Sequence, residues 1–137
     1  MATNYLKATT AQHRQKARKN IGLAQDLTNL KGDYRDWRTI ALFYAAVHLV
    51  QAYLRDKTTE YPQTHAERDR LINADPHLRT IYPSYRELKQ LAVTARYTCL
   101  PTNDFDVSEA QKQLAVIQAH IDRLLAPPPV PPAAKQR

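Results

Sequence analysis

The stretch IALFYAAVHLVQAYL, residues 40–54, constrains this chain more than any other, because it is apolar around its whole circumference and is interrupted only by His48 and Gln51. A helix of that kind must be covered on all sides. At 15 residues it is shorter than the roughly 20 that a bilayer crossing needs, so it is expected to form the buried central helix of a globular domain and not a membrane span. A chain of 137 residues is one ordinary domain with a single core. Two glycines in the whole chain argue against a loop-rich β sandwich and against a glycine loop that cradles phosphate. The expected class is all-α, a single up-and-down bundle of about five helices.

Capping and periodicity place those helices. Thr3 is a candidate cap for a first helix reaching about Leu30, with Leu6, Ala17, Ile21, Ala24, Leu27 and Leu30 recurring at three-to-four spacing. Gly32 in KGDY suits the residue past its C-terminus. The apolar helix follows over about residues 33–55. Thr64 with Glu67, Ser84 with Glu87 and Ser108 with Gln111 each place a hydroxyl three residues before a side chain that can reach back, the capping-box pattern. They predict helices over about 65–74, 85–99 and 107–126. Val107, Ala110, Leu114, Ile117, Ile121, Leu124 and Leu125 form the apolar side of the last one. Residues 1–126 are thus the expected bundle. The remainder, 127–137, opens with five prolines in six positions and is expected to be an extended polyproline tail.

A single cysteine, Cys99, cannot close an internal disulfide, and no charged-then-apolar leader is visible; the expected compartment is cytoplasmic. The net charge of +7 is uneven. Residues 1–31 carry Lys7, Arg14, Lys16, Arg18, Lys19 and Lys31 against Asp26. The run HRQKARK, residues 13–19, suits a polyanion such as RNA and equally suits a solvated helix face. Its cations Arg14, Lys16, Arg18 and Lys19 are the candidate RNA contacts. No His or Cys pair has zinc spacing, and neither a nucleophile elbow nor a phosphate loop is present. Neither a metal nor a cofactor is expected.

Taken in order, LFYAAVHLVQAYL, THAERDRLI, YRELKQLAVTARY and FDVSEAQKQLAVIQAHIDRLL resemble the HEPN superfamily of small helical bundles. The chain is most similar to a bacterial branch whose second helix reads approximately Ala-Tyr-Tyr-Ala-x-Phe-His, and the resemblance spans about residues 33–125. It implies a bundle that often dimerises. It also implies, for many members, metal-independent endoribonuclease activity in toxins or antiviral defence, and for others an inactive binding module. Active members carry an Arg followed a few residues later by a His. Metal-free RNA cleavage explains the pair, since it needs a base for the 2′-hydroxyl proton, an acid for the leaving oxygen and a fixed cation on the phosphorane.

The chain departs from that pattern. Arg70 and His77 have the family spacing, but Asp75 and Pro76 lie between them and are expected to end the helix first. In VTARY, Arg96 stands where the family has an acidic residue in Ala-Asp-Tyr, and no His follows at a suitable distance. A second constellation comes from the residues themselves. Tyr44 and His48 share a helical face at i and i+4, His65 and Arg68 share the opening turn of the third helix, and Tyr97 ends the fourth. If the bundle brings these together, one pocket holds two imidazoles, a guanidinium and two phenols, able to bind phosphate and move protons. The structural alternative for His48 is a core histidine bonded to a tyrosine hydroxyl. For Arg68 and Arg70, between Glu67 and Asp69, it is a solvated charge face; Trp37 is expected in the core or an interface.

The candidate catalytic residues are therefore His48, His65, Arg68, Arg70 and His77, with Tyr44, Arg96 and Tyr97 as binding residues beside the basic first helix. The expected function is RNA or nucleotide binding with metal-independent RNase activity, in a toxin–antitoxin or phage-defence setting. The expected partners are a second copy of the chain, RNA or a nucleotide, and an antitoxin or defence-system protein. The alternative is a catalytically silent dimeric adaptor that docks a partner protein.

Overall fold

The structure is a computed structural model that describes residues 7–128. Five α-helices and no strand occur among them: α1 (Thr10–Asp26), α2 (Arg35–Lys57), α3 (His65–Ala74), α4 (Tyr82–Tyr97) and α5 (Asp104–Leu125). The helical class is as expected. No helix among the described residues is long and apolar enough to cross a membrane. The cap expected at Thr3 and most of the proline-rich tail lie outside the described residues.

The helix starts follow local chemistry, and three differ from the sequence reading. Thr9 caps α1, its hydroxyl accepting from the Gln12 amide at 3.1 Å while Gln12 Oε1 accepts from the Thr9 amide at 2.9 Å. The helix ends at Asp26, before the expected Leu30, and a short 3₁₀ turn, Leu27–Asn29, follows. Gly32 therefore sits in the connection beyond that turn. Its φ of +112° is open to glycine, and a Cβ there would meet the Tyr34 ring at 3.1 Å.

Thr64 caps α3 as expected, accepting from the Glu67 amide at 3.1 Å, although Glu67 reaches back to the Gln63 amide and not to Thr64 itself. The cap expected at Ser84 is not used, because a 3₁₀ turn, Arg79–Ile81, runs straight into α4 and leaves no extended residue to hold one. Pro83 lies in the first turn of α4, where its missing N–H costs nothing. Ser108 is likewise inside α5. Asn103 and Asp106 make a reciprocal box one turn earlier, at 2.8 and 3.1 Å, and the acidic Asp104 and Asp106 complement the positive helix end.

The apolar helix is central, as its composition requires. Fourteen of the 23 residues of α2 are buried, and α1, α4 and α5 all pack on it. α1 covers it with Ala17 and Ala24, α4 with Tyr85, Leu88 and Ala92, and α5 with Val107, Ala110, Leu114, Ile117 and Ile121. A fully buried Leu or Ile contributes about 1.5–3 kcal/mol. This covering comes from one chain, so burial of α2 does not itself demand a second copy. Trp37 is 56% exposed and is not a core residue.

α1 runs opposite to α2 and α5. His13 near its start meets His48 in the second half of α2, and Arg14 pairs with Asp122 near the end of α5. At its other end, Ala24 shares a groove with Leu42 and Gln111. α3 lies across the side of the bundle, attached through Ile72 and Arg68. The turn after it is held by Asp75, whose Oδ1 accepts from Tyr53 Oη at 3.3 Å and from the amides of His77 and Leu78.

Candidate functional site

Tyr44 and His48 share one face of α2, but their polar atoms turn to different partners and no hydrogen bond joins them. The Tyr44 hydroxyl accepts from Arg96 Nη1 at 2.6 Å. His48 Nδ1 lies 3.0 Å from His13 Nδ1, with the two rings stacked 5.3 Å apart. The expected core partner of His48, a tyrosine hydroxyl, is thus replaced by a second imidazole. The tyrosine in this cluster is Tyr61, from the α2–α3 connection. Its hydroxyl lies 3.3 Å from His13 Nε2 and accepts from the Ala8 amide at 2.9 Å.

His13 was not among the candidate residues, and it is 95% buried from solvent, at 5% exposure. Its place on the apolar side of α1 is legible in retrospect, because it stands one turn before Ala17, which is buried on that side. The charges of HRQKARK hid it. Two Nδ1 atoms facing each other share one proton, so one ring donates and the other accepts. Burial lowers the His48 pKa to about 4, assisted by His13, Lys16 and Arg68. The His13 pKa is lowered too, by burial and then by Arg55 and Arg68. Both rings are neutral at pH 7.

The remaining members of the expected constellation do converge. Tyr44, His65 and Tyr97 line one cavity between α2, α3 and α4, together with Lys89 and Arg96, whereas His48 and Arg68 are not among its lining residues. Ile40, Phe43, Ala92 and Val93 form its apolar wall. At about 60 Å³ it lies far below the roughly 300–1,000 Å³ of small-molecule sites, so it suits a small group and not a whole nucleotide. Tyr97 is 71% exposed at the mouth, with the Arg96 guanidinium 5.2 Å from its ring centroid.

Arg68 supports this cavity from beneath. It is 6% exposed, and its Nη1 lies 3.0 Å from His65 Nδ1. Arginine can only donate, so His65 Nδ1 accepts and the ring's proton sits on Nε2. The His65 pKa is lowered by burial and by Arg68, in accord with that tautomer. His65 is therefore a fixed hydrogen-bond donor. Lys89 Nζ contacts Asp69 Oδ2 at 2.5 Å, whereas Arg96 has no carboxylate partner among the described residues.

Arg70 and His77 are not brought together. Arg70 is exposed on α3, the helix ends at Ala74, and His77 is exposed in the turn beyond. No hydrogen bond joins them among the described residues. The His77 carbonyl lies 2.5 Å from His120 Nε2, and His120 Nδ1 accepts from Arg123, so His120 clamps the turn to α5. Of the basic first helix, Arg14 pairs with Asp122 at 3.4 Å, while Lys16, Arg18 and Lys19 are exposed without an ion-pair partner among the described residues. No group of three or more His, Cys, Asp or Glu able to hold a metal occurs among the described residues.

A small cavity with cationic lining on a helical bundle is chemistry that many folds share, so assignment of the chain depends on its sequence as a whole. Neither the curated proteins nor the solved structures gave a significant match. A family model for the HEPN domain does match, over residues 10–123, from the first turn of α1 almost to the end of α5. The chain belongs to the HEPN family.

Proposed function

We propose that this HEPN protein binds single-stranded RNA, seating a backbone phosphate in the α2–α3–α4 cavity and stacking the adjoining base on Tyr97. The observation that carries the reading is the cavity lining, in which Arg96, without a carboxylate partner among the described residues, and the His65 donor converge beside Lys89, which Asp69 pairs from outside the lining. Arg96 takes the phosphate oxygens as a fork, His65 Nε2–H adds a neutral donor, and an exposed tyrosine supplies a π face that tolerates any base. A cavity of about 60 Å³ admits the phosphate and leaves the base outside.

Binding is better supported than cleavage within one chain. Transesterification requires a group that removes the 2′-hydroxyl proton as that oxygen attacks phosphorus, and an acid that protonates the departing 5′-oxygen. His65 can serve as the donor. Its Nδ1 is occupied by Arg68, and the Tyr44 oxygen is occupied by Arg96, so the cavity has no base of its own. The enzymatic form of this reading is a composite cleft in which a second copy of the chain supplies the base, as expected for a metal-independent ribonuclease of a toxin–antitoxin or defence system.

The test is fluorescence anisotropy with a labelled single-stranded RNA. Arg96→Ala is expected to weaken binding about tenfold or more, since a charge-assisted hydrogen bond contributes about 1.5–3 kcal/mol, and to lower the slope of log affinity against log salt by about 0.7. Tyr97→Ala should weaken binding without changing the salt slope. Affinity unaffected by both substitutions overturns the assignment. The same RNA incubated in a chelator reports cleavage, and light scattering reports whether a dimer is present.

A further inference from the structure

We propose that the groove between α1, α2 and α5 is a second binding site, for a small organic anion that carries one phosphate or carboxylate on a flat, largely apolar body. It is lined by Leu42 and Arg38 of α2, residues on the face opposite Ile40 and Tyr44. It is therefore separate from the RNA cavity, and the proposal does not rest on the RNA reading.

The groove is large, about 390 Å³, within the range of small-molecule sites, about 300–1,000 Å³. Its floor is apolar, formed by Ile21, Leu42 and Leu114. Around it stand four carboxamides, Gln25 and Asn29 from the α1 end and Gln111 and Gln118 from α5. Carboxamides offer a donor and an acceptor side by side, so at the rim they can meet water or the anionic head while the apolar floor takes the body. No carboxylate is among the lining residues.

Arg38 gives the groove its charge preference. Its Nε is buried and has no hydrogen-bond partner, and no carboxylate pairs with it among the described residues. The nearby acids are already engaged: Asp33 and Asp104 contact Arg35 at 2.8 and 3.4 Å. A buried guanidinium N–H left unpaired costs free energy, and an anion in the groove supplies the missing acceptor once the Arg38 side chain turns toward it. An apolar floor, an amide rim and one unpaired guanidinium specify a ligand with a single anionic head and a body that prefers to leave water.

Phenyl phosphate and benzoate probe the site, with phenol and inorganic phosphate as the body alone and the head alone. The readout is the Arg38 Nε–H resonance and the side-chain amide resonances of Gln25, Asn29, Gln111 and Gln118 in ¹⁵N-labelled full-length protein. Both aromatic anions are expected to shift these signals saturably with a Kd of about 1 mM, and whichever binds tighter identifies the preferred head. Arg38→Gln should weaken binding about tenfold or more. Ala115→Leu, a substitution at an exposed lining position, should block the groove while leaving the core intact. A response to inorganic phosphate equal to that for phenyl phosphate overturns the proposal. So does the absence of a saturable shift, or binding that survives both substitutions.

Discussion

The His13–His48 pair makes the stability of the bundle depend on pH in a window that can be stated beforehand. Both imidazoles have lowered pKa values in the folded protein, His48 to about 4 from an ordinary 6.5. A group lowered in this way is held neutral by folding. Its contribution is complete above about pH 6.5 and is lost as pH falls toward 4. The gap corresponds to about 3 kcal/mol at about 1.4 kcal/mol per pH unit, and partial solvent screening at a half-buried ring reduces it to about 2 kcal/mol. His13 does not double this figure, because the two rings titrate as a pair. The structural event is simple: a second proton places two N–H donors face to face across 3.0 Å and breaks the link between α1 and α2. The perturbation is His48→Gln, whose amide oxygen can accept from His13 while removing the ring whose lowered pKa sets that figure. Urea unfolding at pH 7.5, 5.5 and 4.5 should show the unmodified protein losing about 2 kcal/mol more than the variant across that range. Equal losses in the two proteins would refute the reasoning.

Three further outcomes follow from particular contacts. Asn103→Ala should cost about 1 kcal/mol by thermal unfolding and Ser108→Ala almost nothing, because Asn103 caps α5; the reverse order would restore the cap to Ser108. Replacing Lys16, Arg18 and Lys19 with Gln should flatten the salt dependence of RNA affinity, whereas Arg14→Gln, already paired with Asp122, should change it less; an unchanged slope in the triple variant assigns those charges to solvation. Arg68→Met should raise stability by about 1–3 kcal/mol while weakening RNA binding, and a fall in stability would show that Arg68 is structurally paired after all.

Periodicity and capping made the helices legible, and they did so best where one signal stood alone. Thr64 begins α3 and Asp75–Pro76 follow its last residue, Ala74, so both ends of that helix matched. Where two caps competed within one turn, the sequence pattern chose the wrong one. Asn103 and Asp106 precede Ser108 and Gln111, and their box satisfies the same free amides while adding acidic charge at the helix start. α4 had no cap to find, since a 3₁₀ turn leads directly into it. The site was legible by halves for a related reason. Helical spacing places Tyr44 and His48 on one face, but their partners come from 52 and 35 residues away, and spacing along one helix carries no information about which side chain another helix presents. His65, Arg68 and Tyr97 could be grouped because each sits at a helix end, where packing brings short elements together.

Atoms with no hydrogen-bond partner gather around that grouped site, and their distribution bears on its purpose. Arg68 Nε, Asp69 Oδ1 and the Tyr85 hydroxyl are buried without partners, all on the side where α3 and α4 meet α2. Burial raises the Tyr85 pKa well above the ordinary phenol value, with Arg68 and Asp69 close by, so that hydroxyl stays neutral beside two charged side chains. Stability alone favours apolar side chains of similar volume at such positions, because a buried cation without a carboxylate does not recover its desolvation cost. The cost is understandable if Arg68 serves the cavity above it. From beneath, it fixes the tautomer of His65 and adds positive potential where a phosphate would sit, while remaining too buried to be neutralised by solvent ions. Lys89 and Arg96 at the rim are exchangeable with salt in a way that Arg68 is not. The affinity that persists at high ionic strength should therefore belong to Arg68 and the His65 it orients, and the salt-sensitive part to Arg96.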